Sequence, residues 1–572
     1  MPFRLRRLVF NSGDEVDVAD ADVVVLVGPN NSGKSRVLRE TLMALSLQRQ
    51  ESLLPDHAYV LRDVDVSVQL SADELRVWLE ENRQTRIDEH QMRVVRTLNG
   101  PDHRMDHLLS SWQHARFGLL AEHLVRGLFC ESRLNHLRSP ARPNPGDPVD
   151  DPMQLVATSP QLLEKLRAAF YAAFKEQLIL DAWGPYVLLR VTRDYCQSDF
   201  ATQSDHGLAP REVVDRLVGL PTIEWQSDGV RSFAGVMLRL LTERFPLTLL
   251  DEPEAFLHPP QARLLGRYLS SFSDDGQLVV ATHSLDVLLG LIEGGHGRVV
   301  IVRLSRERGV TSARVLPPER LKEIWSDPLL RFSRALDGLF HEAVVVCEGD
   351  TDSSFYSAVA TKNPATDGDL TRPDVMFTFA GSKHRLPLVT GALVALGVPV
   401  AAVADFDVLN DERVLSNVVR GLGATYTKTM ERWRRVLDSG LRGSDAAITL
   451  TGLREGIAAL LGDERGPGVN ASTVRRVKEL LEPHKGWRGA KKSGMAVVPH
   501  GDATVAAEEL LTEMRNVGLF VVRSGAVESF VRAVPSTGSR WVVEVVEGGH
   551  LERATDAATF VADVLAHLTR TD

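Results

Sequence analysis

"ADVVVLVGPNNSGKSRVLRETLMALSL", residues 21–47, decides the fold of the first half of the chain. An apolar run, VVVLV, leads into a glycine-rich turn, and the turn opens the helix RVLRETLMAL. The turn itself, GPNNSGKS, satisfies G-x-x-x-x-G-K-[ST] with Gly28, Gly33, Lys34 and Ser35. Glycines let the backbone curl around phosphate oxygens, so that the N–H groups of Asn30, Asn31 and Ser32 and the helix N-terminus face the anion. Lys34 then reaches the β- and γ-phosphates and Ser35 ligates Mg²⁺. The expected cofactors here are ATP and Mg²⁺.

A P-loop of this kind requires a second acidic strand, and "FPLTLLDEPE" (245–254) supplies it. Asp251 at the strand end completes the Mg²⁺ shell, and Glu252 polarises water. A third strand, in "QLVVATHS" (277–284), ends at His283, placed to sense a γ-phosphate. Just before the acidic strand, "WQSDGVRSF" (225–233) puts Ser227, Asp228 and Gly229 at a helix start. A candidate glutamine for a further nucleotide contact is Gln69, in "DVSVQLSADE".

The chain has 572 residues, too many for one core, and two to four domains are expected. Its 44% hydrophobic and 25% charged residues are those of a globular protein. No apolar run is long enough to span a bilayer, and "MPFRLRRLVF" lacks a signal-peptide pattern, so no membrane partner is expected. Cys130, Cys196 and Cys347 lie far apart without metal spacing, which points to a reducing, cytoplasmic compartment. The net charge of −10 excludes a globally basic nucleic-acid coat but leaves room for a local basic groove.

A second αβ series starts near residue 335. "VVVCEGDTD" ends a strand at Glu348 and puts Asp352 at a helix start, and "VPVAAVADFD" (398–407) ends in Asp405 and Asp407. Alternation places the last two acids on one side of an extended chain. Carboxylates at successive strand ends of a parallel sheet converge where such sheets bind ligands. Without His or Cys they suit Mg²⁺ or Mn²⁺. Basic runs at 430–436, 474–480 and 484–492 interleave Trp433 and Trp487, a pattern that stacks bases and binds phosphates.

In order, P-loop, SDG segment, Asp-Glu pair and His resemble an ABC-type ATPase head, with "SDGVR" similar to a degenerate signature motif. "DEPEAFLHP" (251–259) is particularly similar to the ATPases of the OLD (overcoming lysogenization defect) family. Glu348 with Asp405-x-Asp407 resembles a Toprim domain, in which "FAGSKHRL" (379–386) would bring Lys383 near the metals. "VVRSGAVESF" (521–530) resembles the element that adds a last acid, here Glu528, to the cluster. OLD-type nucleases carry a lysine after that acid, and no lysine follows Glu528 in this chain.

The resemblance implies an α/β chain: an ABC-type ATPase over about 1–335 with a helical, dimerising insert near 71–215, then a Toprim domain over about 340–572 with a helical basic insert near 411–495. It implies an ATP-regulated, metal-dependent DNA endonuclease or nickase of bacterial anti-phage defence. Metal ligands would be Glu348, Asp352, Asp405, Asp407 and Glu528, with Glu348, Asp405 and Lys383 catalytic. Partners implied are DNA, a second copy joined through the ATPase heads, Ser227 and Gly229 then meeting the other copy's γ-phosphate, and a helicase or other defence protein. Two other readings fit the same residues: an ATPase scaffold whose Toprim domain recruits an effector, and a fused effector that cleaves tRNA.

Overall fold

The computed structural model describes residues 2–46, 59–96, 102–113, 117–133, 137–144, 149, 151–193, 211–272, 276–295, 298–316, 326–328, 334–362, 374–443, 454, 457–458 and 486–569. The chain divides into two compact units, residues 1–321 and 322–572. Among the described residues no helix is long and apolar enough to cross a membrane.

The first unit is organised by a six-stranded sheet in the order Val310–Leu316, Val299–Glu307, Val23–Val27, Gln277–Ala281, Leu247–Asp251, Val125–Leu128. All neighbours are parallel except the first two, which form an antiparallel hairpin. The three central motif strands are buried at every position, as expected of parallel strands covered on both faces. Register pairs Leu26 with Ala281 and Ala281 with Asp251, so the P-loop, His283 and Glu252 all leave the sheet at one edge.

A separate antiparallel sheet joins Phe3–Phe10 to Glu15–Asp17 and Leu61–Val68. Several side chains tie it to the main sheet: Asn11 Oδ1 and Asp14 Oδ2 accept from the N–H groups of Thr311 and Ala313, and Gln277 forms a buried clasp. Gln277, 1% exposed, accepts from Leu5 N and donates to the carbonyls of Leu5, Val18 and Ala21 at 2.8–3.2 Å.

The segment expected to be a helical insert is mixed where described. It holds the helices Ala72–Asn82, Met105–Gln113, Pro152–Thr158 and Pro160–Phe174, but also a three-stranded antiparallel sheet and a two-stranded ribbon. It also supplies Val125–Leu128, the edge strand of the main sheet. That strand, VRGL, is too short to show a period. Its own Arg126 anchors it, buried against Glu243 at 2.9 Å.

The second unit is built on a four-stranded parallel sheet in the order Val375–Phe379, Ala343–Cys347, Val400–Ala404, Leu519–Val521. The Ala343–Cys347 strand is wholly buried, and the helix Asp350–Lys362 follows it. That helix is fixed by aromatic packing, with Phe355 against Trp541 at 5.0 Å and Tyr356 against Phe560 at 5.7 Å between ring centres.

Candidate functional site

At the first unit's sheet edge, Gly28 has φ +141 and its absent Cβ would lie 2.2 Å from the Leu304 carbonyl oxygen, so only glycine fits there. Asn31 takes a left-handed φ of 63, and Asn30 and Asn31 are exposed while Ser32 is buried. The Lys34 ammonium folds back over the loop, donating to the carbonyls of Gly28 and Pro29 at 2.8 Å and reaching Ser32 Oγ at 3.4 Å. Burial lowers it to about 8, against the pull of Glu252, Glu254 and Asp251. The Ser35 hydroxyl donates to Asp251 Oδ1 at 2.8 Å. A hydroxyl and a buried carboxylate oxygen in contact are a donor set that fits Mg²⁺.

Glu252 directly follows Asp251 at this edge. It holds a left-handed φ of 44, strained for a residue with a side chain, while its N–H donates to Ala281 O at 2.8 Å. The twist presents its carboxylate to His283, Nε2 to Oε1 at 3.2 Å. Burial first, then the Lys34 charge, lowers the His283 imidazole to about 4, so it is neutral at physiological pH.

Glu254 is a residue of this edge to which the sequence pattern assigned no role. Its Oε1 accepts from Thr282 Oγ at 2.9 Å and from the His283 N–H at 2.6 Å, which ties the acidic loop to the His283 loop. Burial raises its pKa, and its Oε2 has no hydrogen-bond partner. The repeat of glutamate in Asp-Glu-Pro-Glu was the available signal.

Ser227 sits at the N-cap of the helix Asp228–Thr242 without a side-chain capping bond. A Cβ on Gly229 would lie 2.4 Å from the Phe256 carbonyl oxygen, so the SDG segment abuts the loop after the acidic strand. Gln69 does not belong to the site. Val60 packs against Gly33, whereas Gln69 lies beyond the far end of the strand Leu61–Val68, where its N–H donates to the Pro2 carbonyl. Eight residues of strand separate them by about 26 Å.

In the second unit, carboxylate oxygens of Glu348, Asp405 and Asp407 lie within 4.8 Å of one another. The means differs from the expected alternation. Asp405 is followed by a short 3-10 helix, Phe406–Asn410, not by extended chain. Phe406 is fully buried and its N–H donates to Gly525 O at 2.8 Å, so the two acids flank an anchored residue.

Asp352 and Glu528 stand beside this group and are not part of it. Asp352 Oδ2 accepts from Gly349 N at 2.9 Å, and Glu528 Oε1 accepts from Gly538 N at 3.4 Å. Asp350 is exposed and bonds only its own turn, to Thr351 N and Oγ. Burial, then Asp352 and Glu348, raise Asp405 to about 8, and burial with Glu348 and Glu528 raises Asp352 to about 6. Burial and then Asp407 raise Glu348. Glu348 Oε2 and Asp407 Oδ1 are buried without a hydrogen-bond partner. Two orphaned oxygens in an all-carboxylate cluster fit a divalent cation such as Mg²⁺ or Mn²⁺.

Two lysines face the cluster. Lys383 Nζ donates to Asp407 Oδ2 at 2.8 Å and to the Asp407 carbonyl at 3.2 Å. Lys491, which precedes Glu528 in the chain and was not among the expected site residues, comes to 3.6 Å of Asp407 Oδ2. Only the folded chain reveals it: the helix Gly486–Ser493 packs against the 3-10 helix that carries Asp407.

The aromatic residues of the basic runs are partly committed elsewhere. Trp487 donates its indole N–H to Asp438 at 2.7 Å and its ring lies 6.5 Å from that of Phe406, so it is a packing residue and not a free stacking platform. Arg434 is buried against Glu412 and the carbonyl of Asn410. The run 474–480 lies outside the described residues.

Residues 219–290 match the family model AAA_21, "AAA domain, putative AbiEii toxin, Type IV TA system". No curated protein matches the chain. Among solved structures, the Smc head domain with an extended coiled coil bound to the C-terminal domain of ScpA, from Pyrococcus furiosus, is similar at 12% identity. It covers 56% of this chain and 98% of that one, with TM-score 0.33. The SMC head domain from Thermotoga maritima is similar at 15% identity over 55% of this chain and 99% of that one, with TM-score 0.30. Residues 219–290 are thus similar to an AAA-type ATPase domain, and the P-loop, the acidic strand and His283 meet at one edge of the sheet that contains them.

Proposed function

We propose that the chain is an ATP-regulated, divalent-metal-dependent DNA endonuclease or nickase of the OLD type, acting in bacterial anti-phage defence. One observation carries this reading: Glu348, Asp405 and Asp407 converge at the end of a parallel sheet with two orphaned carboxylate oxygens and two lysines against them.

Glu348, Asp405 and Asp407 would hold the ion. When bound, the cation lowers the pKa of water and neutralises charge on the phosphoryl oxygens. Glu348 Oε2 and Asp407 Oδ1, buried and unbonded, would face that ion. Lys383 fixes Asp407 by its carboxylate and its carbonyl together. Water adds to phosphorus, the P–O bond to the leaving strand breaks, and the ends are a phosphate monoester and a hydroxyl. At the other site Glu252 receives the proton of the water that attacks the γ-phosphate, and neutral His283 orients it through Glu252. ATP held between the Ser227–Gly229 edge of one copy and the P-loop of another would select one subunit arrangement, and hydrolysis would release it.

The test is supercoiled plasmid with Mg²⁺ or Mn²⁺, with and without ATP, beside Glu348→Ala and beside tRNA. Plasmid nicking by the wild-type chain and none by Glu348→Ala is expected. Equal cleavage by both proteins removes the second site from the mechanism, and cleavage of tRNA alone replaces DNA as substrate.

A further inference from the structure

Lys383 and Lys491 share one carboxylate oxygen, Asp407 Oδ2, but they are built differently. Lys383 is 19% exposed, in direct hydrogen-bond contact, and its second bond to the Asp407 carbonyl ties it to the backbone. It is part of the scaffold. Lys491 is 52% exposed and stands at 3.6 Å, at the outer edge of hydrogen-bond range, so its ammonium is held mainly by charge and only weakly by direction.

Its backbone, by contrast, is pinned. A Cβ on Gly525 would lie 2.7 Å from the Lys491 carbonyl oxygen and from the Lys492 carbonyl carbon. Gly525 itself takes φ +118 and accepts the Phe406 N–H from between the two acids. The Met495 N–H donates to Arg523 O at 2.9 Å just beyond. A rigid anchor therefore carries a long, half-exposed side chain to the mouth of the cluster. Asp407, with Asp405 and Glu348, outweighs the effect of burial on the Lys491 ammonium and keeps it charged.

We propose that Lys491 is the exchangeable cation of this site. It competes with a divalent ion for the Asp407 face and, once displaced, swings on its fixed helix to the phosphodiester that the ion brings in. The inference rests on the metal-site reading above. It assigns the two lysines separate roles, Lys383 positioning Asp407 and Lys491 contacting substrate.

The chemistry is a transfer of charge without any covalent step. An ammonium beside three carboxylates opposes the entry of a second positive ion, so it weakens metal binding. The same ammonium, freed, meets the negative charge that builds on the phosphoryl oxygens and lowers the barrier there.

The test uses the full-length chain and Mn²⁺ alone, with binding read by electron paramagnetic resonance and by calorimetry. Lys491→Gln is expected to tighten Mn²⁺ binding by roughly tenfold or more. Lys491→Arg, which keeps the charge, is expected to bind as the wild-type chain does. At saturating Mn²⁺, Lys491→Gln is expected to lower plasmid cleavage by about a hundredfold. Tighter metal with slower cleavage supports the proposal. Unchanged or weaker Mn²⁺ binding in Lys491→Gln, with binding still abolished by Glu348→Ala, overturns it and leaves the metal site standing. Absence of Mn²⁺ binding sensitive to Glu348→Ala in both the wild-type chain and Lys491→Gln overturns the metal-site reading and the proposal with it.

Discussion

Glu252 and Glu254, two residues apart, make different contacts: the first meets the His283 ring and the second the Thr282 hydroxyl and the His283 N–H. Glu252 faces His283, and its strained backbone exists to put it there. Glu252→Gln is expected to bind ATP normally and to hydrolyse it at least about a hundredfold more slowly, as calorimetry and phosphate release would report. Glu254 faces inward. Glu254→Ala leaves Thr282 Oγ and the His283 N–H without their acceptor, at a cost of about 1–3 kcal/mol for each buried group left unpaired. Urea unfolding of the first unit's transition measures that. His283 gives a pH signature. Its folded pKa of about 4 lies below the ordinary value of 6.5, so between those values the unfolded chain binds more protons than the folded one. Stability then rises with pH from about 4 to 6.5, and this part of the slope disappears in His283→Gln when melting is followed across that window.

At the scale of elements, the three motif strands of the ATPase were legible because each is a continuous apolar run ending in a chemically distinctive residue. The same rule located Glu348 and Asp405. What sequence pattern left unread has physical reasons. Val125–Leu128 has four residues and no period. Gln69 lies past the end of its strand that is far from the P-loop, which its residue type alone does not tell. The pairing of Asp405 with Asp407 follows from a buried Phe406 and a 3-10 turn, not from strand alternation. Lys491 is about 80 residues from Asp407 along the chain, and only helix packing brings it there. The packing of the Asp228–Thr242 helix is also an element property. Gly229→Ala would drive a methyl group into the Phe256 carbonyl, and a loss of about 1–3 kcal/mol with slower ATP hydrolysis is expected, checked by denaturation and by a turnover assay.

For the whole molecule, the two units have their own sheets and their own buried cores. Chemistry in each is therefore separable by substitution. Asp405→Ala is expected to abolish plasmid cleavage while ATP hydrolysis stays within about twofold, because it lies in neither the ATPase sheet nor its core. Both assays on one preparation decide this.

The Val23–Val27 strand has as its two neighbours in the sheet Gln277–Ala281 and Val299–Glu307, made more than two hundred residues later. A ribosome working at about 5–20 residues per second delivers them roughly 15–60 s after that strand has emerged. During that interval five aliphatic residues destined for complete burial have no native partner, and the Gln277 clasp on Leu5, Val18 and Ala21 does not yet exist. The phosphate-binding loop thus matures late in synthesis although it is encoded first. Nascent chains arrested before residue 277 should be protease-sensitive at their N-terminus and should engage chaperones, whereas chains arrested with residue 316 well clear of the exit tunnel should be protected.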